Sequence, residues 1–358
     1  MFFGYLEFFL LGFSLAIIFT LAVKWLATKY SIIDKPGLAR KIHKNDVPLL
    51  GGLAIFLAFF IGLYFARPIL FSGNLELRHY LGFFIGAVFL MIGGFLDDKY
   101  SLKPGWQFIF PVLASLSVIV GGVGIEKITS PFGGFLFLNE LSLPFIDFSG
   151  KVHYFFFLSD LLVFAWLLGM MYTTKLLDGI DGLVSGVSAI GGLVIFLFTI
   201  TTKYYQPDIG LAALIFSACC LGFLIFNWHP AKIFLGEGGS VLLGYILGVL
   251  AIISGGKIAI ALLVMGIPIL DLVWTIIRRL AAGKNPFKFS DRLHLHFRLL
   301  DSGLSQRQTV LIFYTLSLAF GLSGLFLQSL GKLLALAGLF ALMLVFIVGA
   351  GYINRKKV

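Results

Sequence analysis

Residues 234–253 read Phe-Leu-Gly-Glu-Gly-Gly-Ser-Val-Leu-Leu-Gly-Tyr-Ile-Leu-Gly-Val-Leu-Ala-Ile-Ile. Beyond Glu237 the stretch is uncharged, and its length matches the roughly 20 apolar residues that a helix needs to cross a bilayer core. Its beginning, from Gly236 to Ser240, places a carboxylate and a hydroxyl among glycines. The stretch therefore predicts a membrane-spanning helix with polar chemistry at one end.

Similar apolar runs recur along the whole chain and decide the fold class. Of the 358 residues, 59% are hydrophobic and 12% charged, whereas soluble domains carry about 25% charged residues. This composition excludes a soluble globule, a disordered chain and a coiled coil. It predicts an all-α, polytopic integral membrane protein with 10–11 transmembrane helices, forming one domain over residues 1–358. The runs are 2–27, 49–66, 80–96, 106–124, 155–174, 183–201, 209–226, 234–253, 257–277, 307–328 and 331–352.

The distribution of positive charge predicts the orientation in the membrane. With eleven spans, only seven of the 27 Lys and Arg residues fall on one side, and positive charge marks the cytoplasmic face. The N-terminus is therefore expected outside the cell, in a plasma (inner) membrane, and the net charge of +10 reflects topology instead of a nucleic-acid partner. The seven are Arg67, Arg78, Lys127, Lys151, Lys203, Lys257 and Lys332.

The longest connection on the outer side, about 125–154, alternates apolar residues with turn residues. Such alternation indicates a short β-hairpin lying on the outer membrane surface.

The cytoplasmic connections collect most of the acidic residues, at span ends and beside glycines. We expect the active-site loops to lie at about 28–48, 97–105, 175–182, 227–240 and 278–306.

The first of these loops carries Arg40, Lys41 and His43, and is followed by Gly51-Gly52 at a helix start. Basic residues leading into a glycine-rich helix N-terminus suit an anionic phosphate. The alternative is that they anchor the chain at the membrane surface.

Asp97 and Asp98 close an apolar span as adjacent carboxylates. Two carboxylates at the end of an apolar span cost free energy unless they form ion pairs or bind a cation. Mg²⁺ takes carboxylate oxygens as ligands and leaves coordination positions for substrate phosphates. A charged helix C-terminus is the alternative, but the helix dipole disfavours it.

Asp178 and Asp181 lie in the motif Asp-Gly-Ile-Asp-Gly. A spacing of three residues puts both carboxylates on one face of a helix, near enough to share a ligand. An Asx-turn between spans is the alternative.

Glu237 and Ser240 open the span quoted above, after Asn227-x-x-Pro230. This glycine-rich turn suits a phosphate with its metal, but it lacks the Gly-Lys-Ser/Thr ending of a Walker loop. A purely structural glycine turn remains the alternative.

The last loop reads Asp291-Arg-Leu-His294-Leu-His296-Phe-Arg298, after Asp271 in the preceding span. Outside a helix, both histidines can reach one substrate. Zinc is disfavoured because no cysteine or third histidine lies nearby. The alternative is a basic loop that binds lipid headgroups.

Together these motifs resemble the polyprenyl-phosphate N-acetylhexosamine-1-phosphate transferases, and they occur in that family's order. The form Asp291-Arg-x-His294-x-His296 is similar to the bacterial branch that starts O-antigen, enterobacterial common antigen and teichoic-acid linkage synthesis. It differs from the phospho-N-acetylmuramoyl-pentapeptide transferase branch. The matching stretches are 40–52, 97–104, 178–186, 234–244 and 268–300.

Three positions depart from the family's pattern. Lys175 stands where the family usually has Asn, Glu237 where it has Asp, and Phe297 where it has His.

The resemblance implies transfer of N-acetylhexosamine-1-phosphate, with GlcNAc-1-phosphate as the best guess, from a UDP-sugar to undecaprenyl phosphate, releasing UMP. This is the first membrane step of cell-envelope polysaccharide synthesis. The implied cofactor is Mg²⁺, with Mn²⁺ not distinguished from it, and the implied partners are a UDP-N-acetylhexosamine, undecaprenyl phosphate, membrane lipids and a second copy of the chain.

The resemblance also implies roles for particular residues. Asp97, Asp98 and Glu237 are the expected catalytic residues, and Glu237 with Asp97 the metal ligands. The expected substrate-binding residues are Lys175, Asp178, Asp181, His294, His296, Arg298, Arg40, Lys41 and His43.

Three other functions compete with this one. A transporter would carry its charges near the bilayer midplane, whereas here the acidic clusters gather at one face and only Asp271 falls inside a span. A CDP-alcohol phosphotransferase would need a longer signature after Asp178. The third is a degenerate relative that binds the carrier lipid without turnover.

Overall fold

The computed structural model describes residues 2–36, 45–71, 73, 76–130, 133–146, 152–201, 205–255, 258–283 and 293–355. Within these ranges the chain forms thirteen α-helices and three small antiparallel ladders. The helices are α1 Phe2–Lys29, α2 Gly51–Leu70, α3 Leu77–Tyr100, α4 Pro104–Val120, α5 Phe157–Leu177, α6 Leu183–Thr201, α7 Pro207–Asn227, α8 Gly236–Ile253, α9 Ile258–Val264, α10 Gly266–Ala281, α11 Leu295–Asp301, α12 Gln306–Phe326 and α13 Ser329–Arg355.

The prediction of an all-α polytopic membrane protein is confirmed. Nine helices of the described chain are long and apolar enough to cross a membrane. The pair α9 and α10 is bent by 82° and makes a tenth span if it is counted as one. Helix α4 has only 17 residues.

Contacts at its two ends show that α4 runs from one side of the helix bundle to the other. Near its start, Gln107 Oε1 accepts a hydrogen bond from Lys175 Nζ, at the end of α5. Beyond its end, Ile125 N–H donates to Ser159 Oγ, at the beginning of α5. The ends of α3 and α5 therefore lie on the same side, as the alternation of eleven spans predicts.

Helix α8 occupies the centre of the bundle. Of its apolar window 89% is buried within the protein, against 22% for α1 and 11% for α13. It packs on α2, α3, α5 and α6. The quoted stretch 234–253 is thus the helix around which the others assemble.

Paired glycines set how closely α8 approaches its neighbours. A Cβ built on Gly52 of α2 would lie 2.0 Å from Gly239 Cα, and one built on Gly94 of α3 would lie 2.1 Å from Gly238 Cα. Only glycine permits such approach, because a real Cβ would overlap the opposing backbone. The start of α2, the end of α3 and the start of α8 therefore meet at one point.

The predicted hairpin in the connection 125–154 is confirmed, and there are two such ladders. Strand β3 (Lys127–Thr129) pairs with β4 (Phe135–Phe137), and β5 (Ser142–Ile146) pairs with β6 (Val152–Phe156). A third ladder joins β1 (Ile33–Asp34) to β2 (Val47–Pro48), just before α2. We number these strands β1–β6 in chain order.

Candidate active site

The site begins where the end of α3 meets the start of α8. Asp98 Oδ1 accepts a hydrogen bond of 3.0 Å from the backbone N–H of Glu237. A negative charge is favourable at this position because the helix dipole points its positive end there. Gly236, with φ +75°, makes the turn, and a Cβ on it would lie 2.4 Å from Asp98 Oδ2. The fold thus brings the predicted catalytic residues Asp98 and Glu237 into contact.

A chain of polar contacts links the other residues of this junction. Asp97 Oδ1 accepts hydrogen bonds from Leu102 N–H (2.7 Å) and from Gln107 Nε2 (3.0 Å). Gln107 Oε1 accepts from Lys175 Nζ at 3.0 Å, and Lys175 Nζ forms an ion pair of 2.7 Å with Glu237 Oε2. Lys175 and Glu237, two of the three departures from the family's pattern, are therefore in direct contact.

Gln107 was not among the predicted site residues. The signal for it was slight: an amide side chain in the first turn of an otherwise apolar helix. Its role depends on the packing of α4 between α3 and α5, which sequence spacing does not show.

Asp178 joins the acidic group from the turn that follows α5. Enclosure by surrounding protein atoms, and then the negative charges of Glu237 and Asp98, raise the pKa of Asp178 to about 8, although the residue keeps contact with solvent. The carboxylates around Lys175 thus repel one another, and this repulsion favours a bound cation.

The prediction that Asp178 and Asp181 share a helix face is wrong. Residues 178–182 form turns between α5 and α6. Asp181 Oδ2 instead binds His229 Nδ1 at 2.7 Å and accepts from Ala231 N–H at 3.1 Å. Its carboxylate therefore fixes the α7–α8 loop, while Asp178 faces the acidic group.

Asn227 supports the same turn from the end of α7. Its Oδ1 accepts hydrogen bonds from Gly182 N–H (3.2 Å) and Ser185 Oγ (2.8 Å), and its Nδ2 donates to Ile233 O (3.0 Å). Asn227 is buried. The motif Asn227-x-x-Pro230 thus joins α6 to the loop that leads into α8.

The glycine-rich start of α2 does not offer the phosphate site that the sequence suggested, and the hydroxyl at the start of α8 is engaged within its own helix. The N–H groups of Gly51 and Gly52 donate to the carbonyls of Phe234 and Leu235, at 2.9 and 2.8 Å. At the start of α8, Ser240 Oγ donates to Glu237 O, and Ser240 is 2% exposed. These groups are engaged within the protein, so the glycines serve close helix packing.

The two predicted histidines lie together against the Asp178-Gly179 turn. His294 Nδ1 binds Asp271 Oδ2 at 2.8 Å, and the His294 and His296 rings are parallel with centroids 5.8 Å apart. His296 is 1% exposed, and among the described residues its Nε2 atom has no hydrogen-bond partner. A Cβ on Gly179 would lie 2.4 Å from that atom. The backbone of the turn therefore passes directly over this imidazole and covers its Nε2 atom.

Burial decides the charge of His296. Desolvation, assisted by the neighbouring His294 and opposed by Asp271, lowers the pKa of His296 to about 3. The ring is therefore neutral at physiological pH. Phe297, the third departure, packs on it with centroids 4.3 Å apart.

The remaining predicted residues contribute less to this geometry. Arg298 Nε donates to Leu293 O at 2.9 Å, within its own loop. Arg40, Lys41, His43 and Asp291 lie outside the described residues.

Two cavities open on opposite sides of the Gly94–Gly238 contact. The first, of about 300 Å³, is an apolar groove between α2, α3 and α8, lined by Leu53, Phe56, Met91 and Phe95, with Asp98 as its acidic group. The second cavity, of only about 20 Å³, lies between α3, α4, α5 and α8. Its polar lining is Asp97, Gln107, Tyr172, Lys175 and Glu237, and its apolar lining includes Leu90, Phe110, Pro111 and Val241. An apolar groove thus meets a polar cavity at the carboxylates.

The carboxylates suit a magnesium ion that arrives with a substrate. Within the described parts of the chain, no three Asp, Glu, His or Cys side chains converge as a complete metal site. Magnesium, however, is usually held by one or two carboxylates together with water and substrate phosphates. The oxygen donors of Asp97, Asp98 and Glu237 therefore fit this ion in their chemistry.

Comparison with known proteins identifies the family of this chain. The sequence profile of glycosyl transferase family 4 matches residues 80–255. A protein of Bacillus subtilis (strain 168), named probable undecaprenyl-phosphate N-acetylglucosaminyl 1-phosphate transferase, is 31% identical over 97% of this chain and 92% of its own length. The undecaprenyl-phosphate alpha-N-acetylglucosaminyl 1-phosphate transferase of Thermotoga maritima is 30% identical over 84% of this chain and 83% of its own.

This chain is also similar to a relative that is named for a different sugar donor. The phospho-N-acetylmuramoyl-pentapeptide-transferase of Desulforamulus reducens is 34% identical over 82% of this chain and 85% of its own length. Percentage identity alone therefore does not separate the two branches. Because the Bacillus subtilis relative matches along almost the whole of both chains, the protein belongs to glycosyl transferase family 4.

Proposed function

We propose that the protein transfers N-acetylglucosamine-1-phosphate from UDP-N-acetylglucosamine to undecaprenyl phosphate and releases UMP. The names of the Bacillus subtilis and Thermotoga maritima relatives support the sugar and the lipid. The wider coverage of the Bacillus subtilis match, 97% of this chain against 82% for the pentapeptide-transferase, favours this branch.

The observation that carries the proposal is the meeting of an apolar groove with a polar, carboxylate-rich cavity. A polyprenyl phosphate is an apolar chain with an anionic end, and the groove beside Asp98 offers apolar walls with a polar terminus. The second cavity, with Lys175 and Glu237, is too small to enclose a diphosphate, but these side chains at its mouth suit a phosphate oxygen and a cation. The acceptor and the donor would thus approach the α3–α8 junction from opposite sides.

The reaction would be a direct displacement at phosphorus. An oxygen of the lipid phosphate attacks the sugar-bearing β-phosphorus of the UDP-sugar, a new P–O bond forms, and the bond to the oxygen bridging the two phosphates breaks. UMP leaves with that bridging oxygen. The lipid phosphate is largely ionised at pH 7, since its second pKa is about 6, so Asp98 has mainly to orient it and to accept any remaining proton.

The protein's main contribution would be positioning and charge neutralisation, as in other phosphoryl transfers. Lys175 would bind the diphosphate of the UDP-sugar. Asp97 and Glu237 would hold a magnesium ion, which when bound neutralises charge on the diphosphate. Asp178 would contact the nucleotide or the sugar from the turn after α5. The buried, neutral His296 would support the backbone of that turn, and Asp271 would orient His294.

The site would face the cytoplasm, where UDP-sugars are made, and the N-terminus would lie outside. The excess of Lys and Arg on the side of the site supports this orientation in the plasma (inner) membrane. The enzyme would then begin synthesis of a cell-envelope polysaccharide.

Nucleotide release by the purified protein in detergent tests the proposal. The assay supplies undecaprenyl phosphate, Mg²⁺ and a panel of UDP-N-acetylhexosamines. We expect UMP, released only when both lipid and metal are present, with UDP-N-acetylglucosamine as the best donor. Release of UDP would show simple glycosyl transfer and overturn the mechanism.

A relative that binds carrier lipid without turnover is the second candidate. The contact of Lys175 with Glu237 favours it, because it engages an expected metal ligand. Folded protein that releases no nucleotide from any sugar would establish this candidate and exclude transfer.

A further inference from the structure

Lys175 is held in place from two sides. Its Nζ lies 2.7 Å from Glu237 Oε2 and donates to Gln107 Oε1 at 3.0 Å. Gln107 in turn donates to Asp97 Oδ1 at 3.0 Å. The ammonium is therefore tethered beside Glu237 instead of moving freely on its four-carbon stem.

The pair lies at the border between protein and solvent. The Lys175 side chain is 23% exposed and that of Glu237 is 42% exposed. Water and ions can therefore reach Glu237, whereas solvent does not fully screen the attraction between the two charges. The ion pair is accessible enough to be opened by a ligand.

A divalent cation bound by Glu237 would have to share its carboxylate with the Lys175 ammonium. Magnesium requires oxygen ligands at about 2.0–2.1 Å in near-octahedral geometry. With Lys175 Nζ already 2.7 Å from Glu237 Oε2, a metal on that carboxylate would lie close to a second positive charge. Repulsion between them disfavours simultaneous binding.

A diphosphate removes this conflict because it offers the ammonium another partner. Lys175 lines the polar cavity together with Glu237 and Tyr172, so phosphate oxygens entering that cavity come within reach of Nζ. Phosphate oxygens are strong acceptors for lysine. Once Lys175 turns to them, Glu237 is released to the metal.

We propose that Lys175 is a positioning residue that occupies Glu237 until a diphosphate draws its ammonium away, so that divalent metal and UDP-sugar bind cooperatively. The inference rests on the proposed function in one respect, since it takes a UDP-sugar as the diphosphate. It assigns to Lys175 a control of metal affinity in addition to contact with substrate. Metal alone should bind weakly, and each of the two ligands should strengthen the binding of the other by the same factor.

Binding of Mn²⁺, followed by the electron paramagnetic resonance signal of the free ion, tests this without any turnover. Purified protein in detergent is titrated with Mn²⁺ alone and with UDP-N-acetylglucosamine, and a nucleotide blank corrects for chelation by the sugar nucleotide. We expect the nucleotide to tighten Mn²⁺ binding to the wild-type protein by about tenfold or more, within the usual range of coupling between sites. Equal Mn²⁺ affinity with and without nucleotide would overturn the proposal.

The variant Lys175→Gln tests the effect of the ammonium charge. We expect it to tighten Mn²⁺ binding in the absence of nucleotide by about tenfold, and to bring the coupling close to one. Lys175→Arg retains the positive charge and should keep the weak binding. Lys232→Gln removes a lysine that is exposed in the α7–α8 loop, and should leave Mn²⁺ affinity unchanged.

The outcomes separate this inference from the proposed function. If Lys175→Gln binds Mn²⁺ within twofold of wild type, the inference fails even where UMP release succeeds. If coupling is present but no donor yields UMP, the transfer reaction fails and the control of metal affinity stands. Equal Mn²⁺ affinity with and without nucleotide in the wild-type protein overturns the inference even if Lys175→Gln does not fold.

Discussion

Replacement of Gly94 by alanine should separate the catalytic carboxylates without removing any of them. A Cβ at this position would lie 2.1 Å from Gly238 Cα and 2.3 Å from Gly238 N. To reach ordinary contact at 3.4 Å, α3 and α8 must move apart by about 1.3 Å. A movement of that size is enough to carry the 3.0 Å hydrogen bond from Glu237 N–H to Asp98 Oδ1 out of range.

The expected effect is much larger on rate than on folding. Overpacking a well-packed contact destabilises by about 1–3 kcal/mol, so the protein should still fold. A misplacement of about 1 Å in reacting groups lowers rates by about a hundredfold. UMP release by Gly94→Ala should therefore fall about a hundredfold, while Tm falls by roughly 1–4 °C.

The chain supplies a matched control within a neighbouring spanning helix. Gly169 lies on an exposed part of α5, and a Cβ there would meet no atom within 4 Å. Gly169→Ala should keep wild-type UMP release and Tm. Near-wild-type turnover in Gly94→Ala would refute the argument that glycine contact sets the geometry of the site, as would an equal loss in Gly169→Ala.

Three further results are expected from other parts of the site. Asp98→Asn and Glu237→Gln each keep the shape of the side chain and remove its charge, so each should lower UMP release by about a hundredfold. Turnover close to wild type in either variant would contradict the role assigned to that residue. Asp271→Ala leaves His294 Nδ1 without its partner and should destabilise by about 1–3 kcal/mol, seen as a lower Tm in detergent; an unchanged Tm would show that this bond is dispensable. Burial lowers the pKa of His296 to about 3 in the fold, against an ordinary 6.5. Below pH 6.5 the unfolded chain therefore binds more protons than the folded protein, and acid should destabilise the fold. Between pH 7.5 and pH 5, Tm should fall more in wild type than in His296→Gln, and parallel curves of Tm against pH would contradict this.

Much of the architecture follows from local sequence properties. The long apolar runs form helices, since a backbone in hydrocarbon must satisfy its hydrogen bonds internally. The run 257–277 is the exception to one helix per run, because it forms α9 and α10, which are bent by 82°. The spans alternate in direction, so the sequence predicts which of their ends lie on the same side. The hydrogen bond from Glu237 N–H to Asp98 Oδ1 confirms this for the end of α3 and the start of α8. The clusters at 97–98, 175–178, 237 and 294–296 are indeed assembled around one site.

The individual roles of these residues depend on partners that are distant in the chain. Asp181 follows Asp178 by three residues, yet it turns to His229 because the α7–α8 loop folds over it. Gly51 and Gly52 look like an anion-binding helix start, yet the carbonyls of Phe234 and Leu235 already occupy their N–H groups. No local pattern distinguishes a free N–H from one that a loop far along the chain has engaged.

The sequence by itself determined that the protein spans the membrane many times, which ends of its spans share a side, and which family's motifs they carry. Hydropathy and charge suffice for the spans and their sides, because the bilayer acts on each segment separately. The family follows from the motifs themselves. Only the tertiary structure decided that Gly94 and Gly238 meet, that Gln107 enters the site, and that Lys175 rests on Glu237. These contacts join residues that are 62 or more positions apart along the chain, so they arise from the packing of α3, α4, α5 and α8 and not from the pattern of any one helix.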